Sequence, residues 1–114
     1  MHELGIVTYV AKTIDKFAKT HQLTKVCGVT LEIGEVSGIV PDYLVNCWNY
    51  FRRKNPLLEE SELKYETISA VTFCEGCKTE YETVKYGKTC PHCGGGSTYL
   101  VTGNECNIKE ITAL

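Results

Sequence analysis

The sequence predicts an α+β protein: a two-layer domain with two helices on a three-stranded mixed sheet, and a small cysteine-rich module inserted before the last strand. Three observations predict it. Two helix-like and two strand-like segments alternate through the first 71 residues, two close cysteine pairs follow, and a further apolar segment ends the chain. A chain of 114 residues is long enough for one core and a small appended module.

A first helix is predicted over residues 4–19. Apolar residues recur there at spacings of three and four, namely Leu4, Val7, Ala11, Ile14 and Ala18, with Val10 and Phe17 widening the stripe. Residues 25–34 are predicted as a strand, because apolar side chains at every second position from Cys27 to Ile33 alternate with small or polar ones. Gly34 and Gly38 then bracket a loop.

A second helix is predicted to begin at Pro41, which suits a first helical turn, and to end before Pro56. It is expected to bury Leu44, Cys47, Trp48 and Phe51. A strand over 62–71, with Leu63, Tyr65 and Val71 on one face, leads into the module, and a strand over 106–111 returns from it. We expect these two strands to pair antiparallel, and the first two strands to pair in a parallel or mixed way.

Charge and hydropathy exclude several classes of protein. Twelve basic against fourteen acidic residues give a net charge of −2, which argues against a nucleic-acid or anionic-lipid surface. No run of about 18 apolar residues is present, so no membrane span is expected. The first residues lack the basic and apolar pattern of a signal peptide, and a cytoplasmic location is therefore expected.

Four of the seven cysteines form two Cys-x-x-Cys pairs, Cys74 with Cys77 and Cys90 with Cys93, and residues 78–89 separate the pairs. Four thiolates at this spacing favour a structural Zn(II) site in a zinc-ribbon module, over the alternatives of a redox pair or two disulfides. Tyr81, Val84 and Tyr86 between the pairs are expected to form a short hairpin. The chain is thereby divided into a zinc-ribbon domain, 72–102, and an α/β domain, 1–71 plus 103–114.

Enzymatic catalysis is not expected. Zinc held by four cysteines leaves no position for a water molecule or substrate, and neither a Ser/His/Asp set nor a glycine-rich phosphate loop is present. Cys27 and Cys47 lie on apolar stripes and are predicted to be buried, inert thiols. Cys106 is predicted to be a small core residue.

The three histidines differ in their surroundings. His21 ends the first helix and is interpreted as a helix-terminal cation, and His92 within the second cysteine pair as a surface residue. His2 follows an initiator methionine that a bulky second residue should retain. The Met1 amine and the His2 amide and imidazole could then chelate Ni²⁺ or Cu²⁺ in a square plane, with the Glu3 amide or another histidine as the fourth donor. From composition alone, a chance surface histidine remains the favoured alternative.

Several motifs, in order along the whole chain, resemble those of the hydrogenase nickel-incorporation accessory proteins, the HypA/HybF family. They are Met1–Leu4, Glu32–Gly38 followed by Pro41, the two cysteine pairs, and Thr102–Glu105. The resemblance implies nickel binding at His2 with donors from Met1 and Glu3, and structural zinc at Cys74, Cys77, Cys90 and Cys93. The fourth nickel donor is open, because the chain lacks the enlarged zinc region that supplies a histidine in some archaeal members.

The resemblance implies a nickel metallochaperone that delivers Ni(II), with a partner maturation GTPase, to the precursor of the [NiFe]-hydrogenase large subunit. Urease maturation proteins are further partners for some members of the family. The alternative is a zinc-ribbon adaptor that binds a protein or RNA and has no nickel function, although the balanced charge of the module argues against RNA. A nickel titration distinguishes the two.

Overall fold

The computed structural model describes residues 3–113 of the chain. Its elements are α1 (Glu3–His21), β1 (Val26–Gly34), α2 (Pro41–Phe51) continued by a 3-10 turn (Arg52–Lys54), β2 (Glu62–Ile68), β3 (Val71–Cys74), β4 (Thr79–Glu82), α3 (Thr83–Tyr86), β5 (Thr98–Thr102) and β6 (Cys106–Ala113). One sheet has the order β2-β1-β6 and the other β4-β3-β5. The predicted α+β fold is confirmed. No helix in residues 3–113 is long and apolar enough to span a membrane.

The described residues form two compact units. The described part of the first, here called the helix unit, lies within Met1–Glu32, Ile39–Glu66 and Asn107–Leu114. The second, here called the cysteine unit, comprises Ile33–Gly38 and Thr67–Cys106. The assignment of nickel binding to 1–71 plus 103–114 and of zinc binding to 72–102 stays a prediction.

The core of the helix unit joins one face of each helix to the strands. Its buried apolar residues include Ile6, Val7, Val10, Ala11, Ile14 and Ala18 of α1, Leu44 and Trp48 of α2, and Val26, Val29 and Leu31 of β1. The Trp48 indole Nε1 donates to the backbone O and to Oγ of buried Ser61, at 3.3 and 3.2 Å, so its one polar group stays satisfied in the core.

Four side chains lie nearer to solvent than the apolar pattern predicts. Leu4 and Phe17 of α1 are 56% and 42% exposed, because they lie at the margins of a buried stripe that is centred on Val10 and Ile14 and includes Ile6. Cys47 and Phe51 of α2 are half-buried. The predicted stripes were therefore too wide, since residues three or four apart share a face only approximately.

The central strand of the first sheet is β1, so β2 and β6 are not neighbours and the predicted pairing between them is wrong. A Cβ built on Gly28 would lie 3.7 Å from the Glu62 carbonyl oxygen, and the Glu35 amide donates to the Ile68 carbonyl at 2.8 Å. These contacts give β1 and β2 the same direction. Gly28 also lies beside Thr112, and the Gly34 amide donates to Glu105, so β6 runs opposite to β1 and the sheet is mixed.

The strand predicted over 62–71 is divided at residues 69–70, and Val71 belongs to β3 of the other sheet. The Ala70 amide donates to the Glu35 carboxylate Oε1 at 2.9 Å, and the Ser69 carbonyl accepts the Thr102 hydroxyl at 2.9 Å. Side chains from distant parts of the sequence therefore replace strand hydrogen bonds at this point. Leu63, Tyr65 and Val71 all lie at odd positions, so their spacing could not reveal the break.

Two backbone segments approach closely where the chain enters and leaves the cysteine unit. A Cβ on Gly34 would lie 2.1 Å from the Gly103 carbonyl oxygen, which only a glycine can avoid. That oxygen accepts the Val36 amide at 2.8 Å, and the Gly103 amide donates to the Glu105 carboxylate at 2.6 Å. The two motifs around Gly34 and Gly103 are thus partners in one structural junction.

The cysteine unit contains a three-stranded antiparallel sheet, in which β3 pairs with both β4 and β5. Strand β5 was not predicted. The predicted hairpin through residues 81–86 is wrong in part, because Tyr81 lies on β4 but Val84 and Tyr86 lie on the short helix α3 and are exposed. The buried Tyr81 ring turns its hydroxyl to the Gly87 carbonyl at 2.9 Å, which supports the turn after α3.

Candidate metal centre

The four cysteines of the two pairs lie together, with their Sγ atoms all within 4.8 Å of one another. The Cys74 and Cys93 sulfurs are 3.6 Å apart, and the Cys77 and Cys90 sulfurs are 3.5 Å apart. Each of these contacts joins one pair to the other, so the cluster ties the end of β3 to the segment that precedes β5. Cys74 and Cys90 are buried, Cys77 is half-buried and Cys93 is exposed.

Two turns of the same design present the sulfurs. The Lys78 amide donates to the Cys74 carbonyl, and the Gly94 amide donates to the Cys90 carbonyl, each at 2.8 Å. The residue that closes each turn has a left-handed backbone, with φ of 61° at Lys78 and 72° at Gly94. Each turn therefore directs its two sulfurs to the same side. Glycine occupies the closing position of the second turn, whereas Lys78 adopts the same left-handed backbone in the first.

Substitutions at the two closing positions should change the free energy of unfolding in opposite directions. A left-handed backbone costs an L-residue about 1 kcal/mol that glycine avoids. Lys78→Gly is therefore expected to raise the free energy of unfolding of the metal-loaded cysteine unit by about 1 kcal/mol, and Gly94→Ala to lower it by about 1 kcal/mol. Native-state amide exchange of residues in β3 measures both, and a lower stability for Lys78→Gly contradicts the shared design.

Hydrogen bonds distribute charge unevenly over the cluster. Burial by itself raises the pKa of Cys90, but the backbone amides of Cys93 and His92, together with the neighbouring thiols, outweigh it and lower the pKa to about 6. The Gly95 amide lowers the pKa of Cys93, but the Cys74, Cys77 and Cys90 thiols and burial together outweigh it and raise the pKa to about 11. Four sulfurs this close cannot all ionise without a cation among them.

The sulfur spacing fits a tetrahedral ion. Zinc–sulfur bonds of about 2.3 Å in a tetrahedron separate the sulfurs by about 3.8 Å, and the two contacts of 3.5 and 3.6 Å are close to that value. A disulfide needs about 2.05 Å, so neither contact is a disulfide. All four corners of the site are cysteines, and such a site is closed to substrate.

The predicted nickel donors are not part of this cluster. Met1 and His2 lie outside the described residues. Glu3 is the first residue of α1 and is half-buried. Among the residues that the structure describes, the four-cysteine cluster is the one group of three or more metal-ligating side chains.

The other histidines and cysteines take no part in the cluster. His21 ends α1 with its ring 4.2 Å from that of Phe17, and the His92 side chain is exposed, as predicted for both. Cys27, Cys47 and Cys106 are half-buried, so the prediction of buried thiols is corrected. Partial burial is still sufficient to raise the pKa of Cys106, which makes its thiol less reactive.

The fold and the cluster together define a small α+β metal-binding protein whose metal module is inserted before the last strand. Residues 1–113 match the family model described as "Hydrogenase/urease nickel incorporation, metallochaperone, hypA". The chain belongs to this family, whose members are metallochaperones and not enzymes.

Curated relatives agree with this assignment, and a solved structure agrees with the fold. The chain is 35% identical over 111 residues to the hydrogenase maturation factor HypA of Geobacter metallireducens, and 33% identical to that of Geotalea uraniireducens, with 97% of each protein covered in both cases. The solution structure of the Ni metallochaperone HypA from Helicobacter pylori has a TM-score of 0.77 at 22% identity, with 100% of this chain and 98% of that chain covered. The structural likeness supports the fold.

Proposed function

We propose that this protein binds Ni(II) at its N-terminus and delivers it, with a partner GTPase, to the precursor of the [NiFe]-hydrogenase large subunit. The observation that carries the proposal is the match of residues 1–113 to a family of nickel-incorporation metallochaperones. The family description also includes urease, so urease maturation proteins are a second class of client. We place the protein in the cytoplasm, where thiols stay reduced and available to a metal.

In the proposed nickel site, Met1 supplies its amine and His2 its amide and imidazole, and the Glu3 amide is a candidate donor. The position of Glu3 at the start of α1 supports this assignment, because the first amides of a helix have no acceptor within the helix. A nitrogen ligand set of this kind suits Ni²⁺ and suits zinc poorly. The fourth position is left for Glu3 or for another donor.

The two proposed sites have opposite requirements. A delivery site must exchange its ligands, and a chelate at the end of a chain can do so without unfolding anything. The four cysteines instead hold Zn(II) as a structural ion, because a closed set of thiolates binds the ion tightly and stabilises the cysteine unit. The two sites share no donor atom, so each can be removed while the other stays intact.

The proposal is tested in a hydrogenase-producing strain that lacks this protein. The wild-type chain is expected to restore nickel to the purified large subunit, whereas His2→Ala should restore at most about a tenth of it, because loss of a group that only orients a metal ligand already costs about ten- to a hundredfold in metal affinity, and His2 is itself a proposed ligand. His21→Ala is the matched control, since His21 is also an exposed histidine and should restore nickel fully. Full restoration by His2→Ala favours the adaptor without nickel function.

A further inference from the structure

Three tyrosines project from the solvent side of the two helices in the helix unit. Tyr9 of α1 is 68% exposed, and Tyr43 and Tyr50 of α2 are 61% and 62% exposed. Exposed tyrosines are enriched at protein interfaces, where the ring gives contact area and the hydroxyl stays hydrated. Tyr43 and Tyr50 are seven residues apart, so they lie on one face of α2.

Cations accompany the tyrosines at helical spacing. Lys12 and Lys16 follow Tyr9 by three and seven residues on α1, and Arg53 follows Tyr50 by three residues. All three cations are exposed. The ion pairs among the described residues are those of Lys25 with Glu59 and of Lys109 with Glu66, so none of the three has a carboxylate partner there.

The charge of the helix unit is segregated between its helices and the rest. The two helices and the turn at 52–54 carry six basic and three acidic residues, whereas the strands and loops of the same unit carry three basic and six acidic ones. The net charge of −2 therefore conceals a positive helical surface. Segregation of this kind steers partners of opposite charge to one side of a protein.

Helix stability does not explain the arrangement. Lys12 and Lys16 are like charges four residues apart, which destabilises a helix by a few tenths of a kcal/mol. The helix dipole favours cations only in the last turn, which Lys12 does not reach. On α2, the Lys54 amine lies 4.8 Å from the centre of the Tyr50 ring, so a cation and an aromatic ring are already held together at the surface.

We propose that this tyrosine–cation surface, formed by Tyr9, Lys12, Lys16, Tyr43, Tyr50 and Arg53, docks an acidic surface of a partner protein. Carboxylates of the partner pair with the cations, and apolar side chains beside them cover the tyrosine rings. A protein fits better than a nucleic acid, because the strands and loops around the helices carry excess negative charge that repels a long phosphate backbone. The proposal is independent of the nickel site.

The test is an NMR titration of the full zinc-loaded chain, without nickel. The probe is a 16-residue capped helical peptide with glutamates on one face and leucines on the other, and a 16-nucleotide oligothymidylate is titrated in parallel. The expected shifts are centred on the amides of the tyrosine–cation surface. Lys12→Glu with Lys16→Glu should weaken peptide binding about tenfold, and so should Tyr43→Ala with Tyr50→Ala.

The matched control is Lys64→Glu with Lys88→Glu, which makes the same change of charge at exposed lysines outside the helices and should weaken binding less than about threefold. If the charge reversal on α1 disturbs folding, Lys12→Gln with Lys16→Gln replaces it. Equal weakening by the control pair, shifts centred elsewhere, or tighter binding of the oligonucleotide overturns the proposal. Shifts that depend on protein concentration without probe assign the surface to a second copy of the chain and overturn it too.

Discussion

Replacing Cys74 by serine is expected to release zinc and unfold the cysteine unit while the helix unit stays folded. Cys74 is fully buried, and its sulfur lies 3.6 Å from that of Cys93. A serine hydroxyl is a poor ligand for zinc, so the remaining three thiols lose most of the binding free energy. Structural zinc contributes on the order of 10 kcal/mol to the folding of such modules.

Among the described residues, the hydrophobic cluster around the cysteines is small. It consists of Cys74, Tyr81 and Cys90, with Cys77 packed against it, so two of the three buried members are themselves proposed ligands. The helix unit has its own core around Trp48 and Ile14. The cysteine unit should therefore unfold when the metal is lost, while the helix unit stays folded.

Zinc content and amide exchange measure the outcome. In Cys74→Ser, protection across 72–102 should disappear, and the fluorescence of Trp48, the single tryptophan of the chain, should keep its native spectrum. Cys47→Ser is the control, because Cys47 is a half-buried cysteine of α2 outside the cluster and should keep zinc. Protection across 72–102 that survives loss of Cys74 would contradict a zinc-dependent fold.

Local patterns in the sequence were sufficient to predict much of this structure. Both long helices, the first strand and the last strand are where the apolar spacing predicts them, and the four cysteines meet as their spacing predicts. Helical periodicity and Cys-x-x-Cys spacing are local signals, and burial or metal binding selects them directly.

Interactions between distant segments could not be predicted from local sequence patterns. The division at Ala70 depends on a carboxylate 35 residues earlier, Glu35, and the close approach of Gly34 to Gly103 joins two motifs that are far apart in sequence. Strand β5 has three consecutive apolar residues, all exposed, so it lacks the alternation of apolar and polar residues by which the other strands were predicted, although its residue types favour a strand. Its position depends on pairing with β3.

His2→Ala is expected to abolish stoichiometric Ni(II) binding and to leave zinc in place. The imidazole of His2 is the one side-chain donor proposed for nickel, and without it the backbone nitrogens leave the square plane one donor short. Acid should release nickel from the wild-type chain, since the imidazole and the amine bind nickel only when deprotonated. Zinc content should not change in His2→Ala, because the cysteine cluster shares no donor with the terminus.

The covalent state of the N-terminus should matter as much as the histidine. Acetylation of Met1 turns its amine into an amide, which binds nickel only after losing a proton of very high pKa, so nickel binding should weaken even though His2 is intact. His21→Ala is the matched side-chain control, because it removes an exposed histidine from the other end of α1. It should bind nickel as the wild-type chain does.

The most direct measurement is a calorimetric nickel titration of three zinc-loaded proteins: the chain beginning at Met1, the same chain acetylated at the Met1 amine, and His2→Ala. We expect one tightly bound Ni(II) per chain in the first, binding at least about tenfold weaker in the second, and no stoichiometric binding in the third. Equal tight binding by all three would contradict the nickel terminus, and with it the proposed delivery of nickel by this protein.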